Sequence, residues 1–88
     1  MEFDWHIAKS ERNRAERGFG FDAAALIFEG PVLEFLDSRR DYGETRIKAL
    51  GLVDGVLLSV VYTDRENVRW IISARRASRK ERRVWDAR

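Results

Sequence analysis

The chain has 88 residues, of which 44% are apolar and 36% charged, a composition typical of one small globular domain and not of a disordered chain. It contains no cysteine, which excludes disulfide bonds and thiolate metal sites and suits a reducing cytoplasm, and no apolar run is long enough for a signal peptide or a membrane span. Residues 1–44 carry six basic and ten acidic side chains, whereas residues 45–88 carry eleven and five. This asymmetry indicates an electropositive surface for nucleic acid or for an acidic protein.

The first elements are predicted to be a strand and a helix. Residues 2–5 alternate between polar and apolar side chains, as in a short strand. A helix is expected from about residue 6 to residue 17, with Gly18 ending it. Its apolar side is thin and consists of Ile7, Ala8 and Ala15. A polar stripe on the other side consists of His6, Lys9, Asn13 and Arg17. A solvated helix surface is the simpler interpretation of this stripe, and a ligand-binding surface is the alternative.

A second helix and four strands are predicted next. Phe21, Ala24, Ala25 and Phe28 follow the spacing of a short helix, which Gly30-Pro31 stops. The predicted strands span residues 32–37, 45–53, 56–63 and 68–74, with an exposed loop at 39–43 and a type I′ turn at Asp54-Gly55. Short connections predict an antiparallel four-strand meander with the helices on one face. The expected fold is therefore a single α+β domain over residues 1–88.

The last twenty residues, 69–88, contain eight basic and two acidic side chains. Ser78 and Glu81 have the spacing of a capping box at the start of a C-terminal helix. Four cations crowd this helix start, and they are Arg75, Arg76, Arg79 and Lys80. A helix N-terminus disfavours nearby cations by roughly 0.3–1 kcal/mol each, whereas phosphate binds both free N–H groups and guanidinium. This corner is therefore predicted to bind an RNA backbone, and a merely solubilising basic face is the alternative.

The residues also limit the chemistry. No zinc-ligand spacing, phosphate-binding loop or dinucleotide fingerprint is present, and no catalytic triad can be assembled with confidence. No metal or cofactor is expected. Arginine and lysine near a phosphate can stabilise developing charge when the 2′-hydroxyl of RNA attacks its own backbone. That reaction also needs a proton acceptor, and the residues by themselves do not identify one.

Three segments share their pattern with a known family. They are Phe3-x-Trp5-x-x-x-Lys9-x-x-x-Asn13, Asp41-Tyr42-Gly43-Glu44-x-Arg46 and Arg69-x-Ile71-Ile72-Ser73-Ala74-Arg75-x-Ala77-Ser78-x-x-Glu81. With them the chain resembles the BrnT toxins, which are similar to the RelE/ParE superfamily. The resemblance implies a RelE-like fold and a bacterial, cytoplasmic ribonuclease that cleaves RNA without a metal and inhibits translation. It also implies a BrnA-like ribbon-helix-helix antitoxin that forms a hetero-oligomer with the toxin and binds operator DNA.

The resemblance also implies roles for individual residues. Arg75 and Arg46 are expected to hold the scissile phosphate, Lys9 and Arg17 to complete the catalytic set, and Glu81 to act as helix cap or base. The expected RNA-binding residues are Asn13, Arg69, Arg76, Arg79 and Lys80. Arg17 stands where the family has a histidine, and His6 where it has an acidic residue. Because histidine is the best proton-transfer group near neutral pH, a catalytically inert module acting through its antitoxin and DNA is the alternative, and direct DNA binding is a third hypothesis.

Overall fold

The computed structural model describes residues 1–39 and 41–88, so Arg40 in the predicted loop lies outside the described residues. The strands are β1 (Glu2–Trp5), β2 (Leu33–Leu36), β3 (Ile47–Val53), β4 (Val56–Arg65) and β5 (Val68–Arg76). The helices are α1 (Ile7–Arg17), α2 (Phe21–Ala24), which continues into a 3₁₀ helix (Ala25–Glu29), and α3 (Arg79–Asp86). None of these described helices has the length and apolar composition needed to cross a lipid bilayer.

The five strands form one mixed sheet in the order β1-β5-β4-β3-β2. Strands β2 to β5 make the predicted antiparallel meander. Strand β1 runs parallel to β5 and pairs with its first half, from Glu2 opposite Val68 to Trp5 opposite Ile71. The α+β class is confirmed, but the prediction of a four-stranded antiparallel sheet is wrong. The outer edge of β5 has backbone groups that need hydrogen-bond partners, and β1 supplies them.

Helices cover both faces of this sheet. Successive strand residues point to opposite faces, and in β3 Ala49 belongs to the core around Phe21 and Ile27. The next residue, Leu50, belongs to a separate core with Trp85 of α3. We call these the α2 face and the α3 face. The expectation that all helices share one face is wrong, because β3 and β4 are apolar at successive positions and both of their faces must be covered.

Two local predictions are confirmed. Asp54 and Gly55 have φ angles of 49° and 78°, the left-handed values that a type I′ turn requires, and they join Val53 to its partner Val56. The Ser78 side chain accepts a hydrogen bond from the Glu81 N–H while the Glu81 side chain accepts one from the Ser78 N–H, which completes the capping box of α3.

A β-bulge in β5 determines which side chains face α3. The pairing with β4 leaves Ile72 as an extra residue. As a result, Ile71 and Ala74 both lie in the core of the α2 face although they are three residues apart. Arg75 therefore lies on the α3 face, whereas strict alternation from Ile71 would have turned it to the α2 face.

Helix α1 is attached by polar contacts. Ser10 and Asn13 are its buried residues, whereas Ile7 is 74% exposed, so the expected apolar side of α1 does not face the core. The Ser10 Oγ accepts a hydrogen bond from the Phe21 N–H at 2.8 Å. The Asn13 Nδ2 donates to the Phe19 carbonyl oxygen at 2.9 Å. These bonds hold α1 against the start of α2 because the helix has too few inward apolar side chains to pack by burial.

The packing of the 3₁₀ helix on β3 gives a first prediction. A Cβ on Gly51 would lie 2.8 Å from the Ile27 Cβ and 3.2 Å from the Val32 Cγ1. Gly51→Ala is therefore expected to lower the free energy of unfolding by about 1–3 kcal/mol, measured by urea denaturation. Gly30→Ala is the control, because its Cβ would enter open space at a φ of −123°, and its effect should stay within about 0.5 kcal/mol. Equal stability of the two variants would contradict this packing.

Candidate functional site

A groove of about 570 Å³ opens between α1 and the sheet, beside the bulge of β5, and we call it the cationic groove. Helix α1 contributes one continuous face, which consists of Lys9, Arg12, Asn13, Glu16 and Arg17. The sheet and the segment before β3 contribute side chains that include Arg39, Tyr42, Arg46, Val61, Ser73 and Arg75. Among the described residues that line it, six are basic and only Glu16 is acidic. The groove therefore has a strongly positive potential.

The α1 cations that line the groove are the least compensated by nearby carboxylates. Within residues 1–39 and 41–88, Lys9, Arg12 and Arg17 form no salt bridge with a carboxylate. The Arg17 Nε donates to the Asn13 Oδ1 at 3.2 Å, which orients the guanidinium without neutralising it. The charge of these three side chains is thus available to an anionic ligand.

Arg46 is fixed by a ring and a carboxylate. Its guanidinium carbon lies 3.9 Å from the centroid of the Tyr42 ring, a cation–π contact. Its Nε donates to the Glu44 Oε2 at 3.3 Å. Glu44 also accepts a hydrogen bond from Arg65 at 2.7 Å, and the Arg65 contact, followed by the one from Arg46, holds the pKa of Glu44 below its ordinary value. Arg46 therefore shares its counter-ion with a second arginine and is only partly neutralised.

Glu81 connects α3 to three strands. Its Oε1 accepts hydrogen bonds from the Arg75 Nη1 and the Ser78 N–H, both at 2.8 Å. Its Oε2 accepts from the Arg75 Nη2 at 3.0 Å, the Lys48 Nζ at 2.9 Å and the Ser59 Oγ at 3.4 Å. The Glu81 side chain is only 9% exposed. Burial alone raises the pKa of Glu81, but the hydrogen bonds from Arg75, the Ser78 N–H and Lys48 outweigh it and hold the pKa well below its ordinary value. A carboxylate so firmly ionised suits the positioning of Arg75 better than proton transfer.

The structure brings several of the sequence-predicted residues together. Five of them line the cationic groove, and they are Lys9, Asn13, Arg17, Arg46 and Arg75. Glu81 binds Arg75 directly. At the start of α3, the predicted capping box and the Glu81 carboxylate occupy the helix end, and the binding of RNA at this corner stays a prediction.

The other predicted RNA-binding residues lie elsewhere. Arg69 is on the α2 face, where its guanidinium carbon lies 4.0 Å from the Tyr62 ring centroid and its Nε donates to the Asp64 Oδ1 at 2.8 Å. Arg76 and Arg79 are exposed and do not line the cationic groove. Lys80 lines a neighbouring groove beside α3.

Sequence reasoning missed several groove residues. Arg12 and Glu16 lie three and seven residues after Lys9, so the helical spacing that selected Lys9 could have included them. Lys48 does not line the cationic groove but binds Glu81, and its place next to Ala49 in β3 could have indicated this side of the sheet, since neighbouring strand residues face opposite ways. Arg39 and Tyr42 belong to a loop, and no sequence pattern predicts which loop side chains line a groove.

A family described as the ribonuclease toxin BrnT of type II toxin-antitoxin systems matches the chain over residues 5–81. The matched part includes α1, strands β2 to β5 and the Arg75–Glu81 pair. A search of curated proteins gives no significant match.

The contacts of Glu81 give a second prediction. Glu81→Gln keeps a side chain that can complete the capping box but removes the charge bound by Arg75 and Lys48. Because the pKa of Glu81 is lower in the folded than in the unfolded chain, its ionisation stabilises the fold above the ordinary glutamate pKa, and this contribution is lost as the pH falls. We expect the variant to be less stable by about 2 kcal/mol at neutral pH, and the difference to shrink from about pH 5 toward about pH 3. Urea denaturation of both proteins at several pH values measures it, and a difference independent of pH would contradict the assignment.

Proposed function

We propose that this chain, which belongs to the BrnT family of ribonuclease toxins of type II toxin-antitoxin systems, cleaves RNA in the cationic groove. The observation that carries the proposal is the lining of the groove, where the six basic side chains face a single carboxylate. An RNA backbone supplies the negative charge that Lys9, Arg12 and Arg17 lack among the described residues. The proposed setting is the bacterial cytoplasm, where cleavage of RNA inhibits translation.

The proposed reaction uses the 2′-hydroxyl of the RNA as nucleophile and needs no metal. A base removes the proton of the 2′-hydroxyl, the oxygen attacks the adjacent phosphorus, and the bond from phosphorus to the 5′ oxygen breaks. The products are a 2′,3′-cyclic phosphate and a 5′-hydroxyl, which takes up a proton. Charge that develops on the phosphate oxygens is stabilised by guanidinium and ammonium groups held in place beforehand.

Arg75 and Arg46 are proposed to bind the scissile phosphate. Arg75 donates to Glu81 and to the Arg76 carbonyl oxygen, and its side chain remains 46% exposed. A guanidinium has more N–H donors than these contacts use, so Arg75 can bind a phosphate without leaving Glu81. Lys9, Arg12 and Arg17 on α1 are proposed to bind the flanking backbone, where their charge has no internal counter-ion among the described residues.

Glu16 is the proposed proton acceptor. Its carboxylate is exposed and lines the groove beside the cations of α1. Glu81, the acceptor considered from sequence, is buried and committed to hydrogen bonds with Arg75, Lys48 and Ser78. We therefore assign proton transfer to Glu16 and the positioning of Arg75 to Glu81. Arg17 stands where the family has a histidine, and Glu16 directly precedes it in this chain. The proposed proton acceptor is therefore next in sequence to the position of the family's imidazole.

The proposed partner is a protein antitoxin. A type II system, as the family description states, pairs the toxin with such a protein. We propose a BrnA-like antitoxin of the ribbon-helix-helix class, which neutralises the toxin in a hetero-oligomer and binds operator DNA. A short reading frame of that class next to the gene of this chain would support this assignment.

Replacement of Arg75 tests the phosphate-binding role. Arg75→Ala is expected to lower the rate of RNA cleavage about 100-fold or more, because a charged donor to the transition state is lost. The assay follows 2′,3′-cyclic phosphate formation on purified protein in the presence of EDTA. Arg83→Ala on the exposed side of α3, outside the cationic groove, is the control and should cleave like the wild type. Circular dichroism and urea denaturation establish that both variants fold.

Three results would decide against parts of this proposal. Full activity of a folded Arg75→Ala variant would remove Arg75 from the site. Cleavage that EDTA abolishes would contradict the metal-free reaction. RNA binding without cleavage by the wild type would favour the alternative, an inert module that acts through its antitoxin, which the replacement of the family histidine by Arg17 motivates.

Replacement of Glu16 tests the proton acceptor. Glu16→Gln keeps the size of the side chain but removes its basic form, so cleavage should fall about 100-fold while RNA affinity stays the same or rises. Glu11→Gln is the matched control on α1, because Glu11 is exposed, lies 3.8 Å from Arg14 and does not line the cationic groove. Fluorescence anisotropy measures the RNA affinity. Equal cleavage rates for the two variants would refute the role of Glu16.

A further inference from the structure

A second groove of about 470 Å³ lies between β2 and α3. Its apolar lining includes the buried Leu50 together with Phe35, Leu36 and Val84, which are 38%, 66% and 39% exposed. Phe35 and Leu36 belong to β2, an outer strand of the sheet. Exposed apolar side chains on an outer strand favour association unless another chain covers them. These features indicate a surface that a partner protects.

The charges around the second groove are unequally exposed. The carboxylates of Asp37 and Glu81 are only 5% and 9% exposed, and each is paired with an arginine. By contrast, the side chains of Arg39 and Lys48 are 74% and 33% exposed. Lys80 on α3 is exposed as well. A ligand in this groove thus meets an apolar floor with positive charge along its rim.

We infer that the second groove binds an amphipathic, acidic segment of the antitoxin. Its apolar side chains pack on Leu36 and Val84, and its carboxylates pair with Lys48 and Lys80. The inference rests on the proposed function, because the antitoxin comes from the family assignment. A second copy that met this one through the same groove would place like charges against each other, since Arg39, Lys48 and Lys80 of both copies would come together. RNA could stack a base on Phe35 but would leave Leu36, Leu50 and Val84 without a matching apolar surface.

The position of the second groove connects binding to inhibition. Arg39 lines both grooves, and Lys48 binds the same carboxylate that holds Arg75. Carboxylates of a bound segment therefore lie next to the cationic groove and lower its positive potential. A segment bound in the second groove therefore weakens RNA binding in the cationic groove even though it does not occupy the cationic groove.

Variants with a carboxylate in the apolar floor test the inference. Leu36→Glu and Val84→Glu are expected to weaken binding of the purified cognate antitoxin at least about tenfold in calorimetric titrations. Leu26→Glu is the matched control, because Leu26 is 44% exposed and lies outside this groove, so its affinity should equal that of the wild type. Lys80→Glu should also weaken binding and make it less sensitive to salt. Wild-type affinity in both Leu36→Glu and Val84→Glu would overturn the inference.

Parallel measurements without antitoxin identify any other occupant. Loss of RNA affinity in the uncharged variant Leu36→Gln would assign the second groove to RNA, and loss of self-association of Leu36→Glu in sedimentation experiments would assign it to a second copy. Either result overturns the inference. A wild type that binds antitoxin through this groove but does not cleave RNA would refute the proposed nuclease and leave the docking site standing. If all variants cleave RNA and bind the antitoxin with wild-type affinity, the docking site would be refuted and the proposed nuclease would stand.

Discussion

The bond network of the Glu81 carboxylate is the interaction on which the site depends. A single buried carboxylate receives hydrogen bonds from Arg75, Lys48, Ser59 and the Ser78 N–H, and so joins α3 to β3, β4 and β5. A buried charge is tolerated only when its partners are complete, and removal of one partner leaves the others with a large desolvation cost. The same network therefore attaches α3 to the sheet and holds the Arg75 guanidinium at the edge of the cationic groove.

The rest of the cationic groove is electrostatically unfavourable by itself. Its lining places Lys9, Arg12 and Arg17 opposite Arg46 and Arg75, and these three cations of α1 form no salt bridge with a carboxylate among the described residues. Buried polar contacts of Ser10 and Asn13 hold α1 in place against this repulsion. Negative charge on a ligand would relieve this repulsion, so the groove suits an anionic ligand better than a neutral one.

The two grooves are adjacent in this fold. The cationic groove and the apolar second groove share Arg39 and are connected through the Lys48–Glu81–Arg75 contacts. One side of this boundary presents guanidinium and ammonium groups, and the other presents an apolar floor with a basic rim. The family assignment to toxins with a protein antitoxin is consistent with two such surfaces in a chain of 88 residues.

Sequence alone determined the local structure and the family. The capping box of Ser78 and Glu81 and the turn at Asp54-Gly55 depend on residues close in the chain, so the sequence predicts them without knowledge of the tertiary structure. The partner of β1, the face covered by α3 and the grouping of the arginines were decided by tertiary structure. Arg69 and Arg75 are both odd-numbered residues of β5, yet the bulge at Ile72 places Arg69 against Tyr62 and Arg75 against Glu81. A bulge is a feature of the pairing between two strands. The alternation of polar and apolar residues along one strand therefore does not predict where a bulge lies.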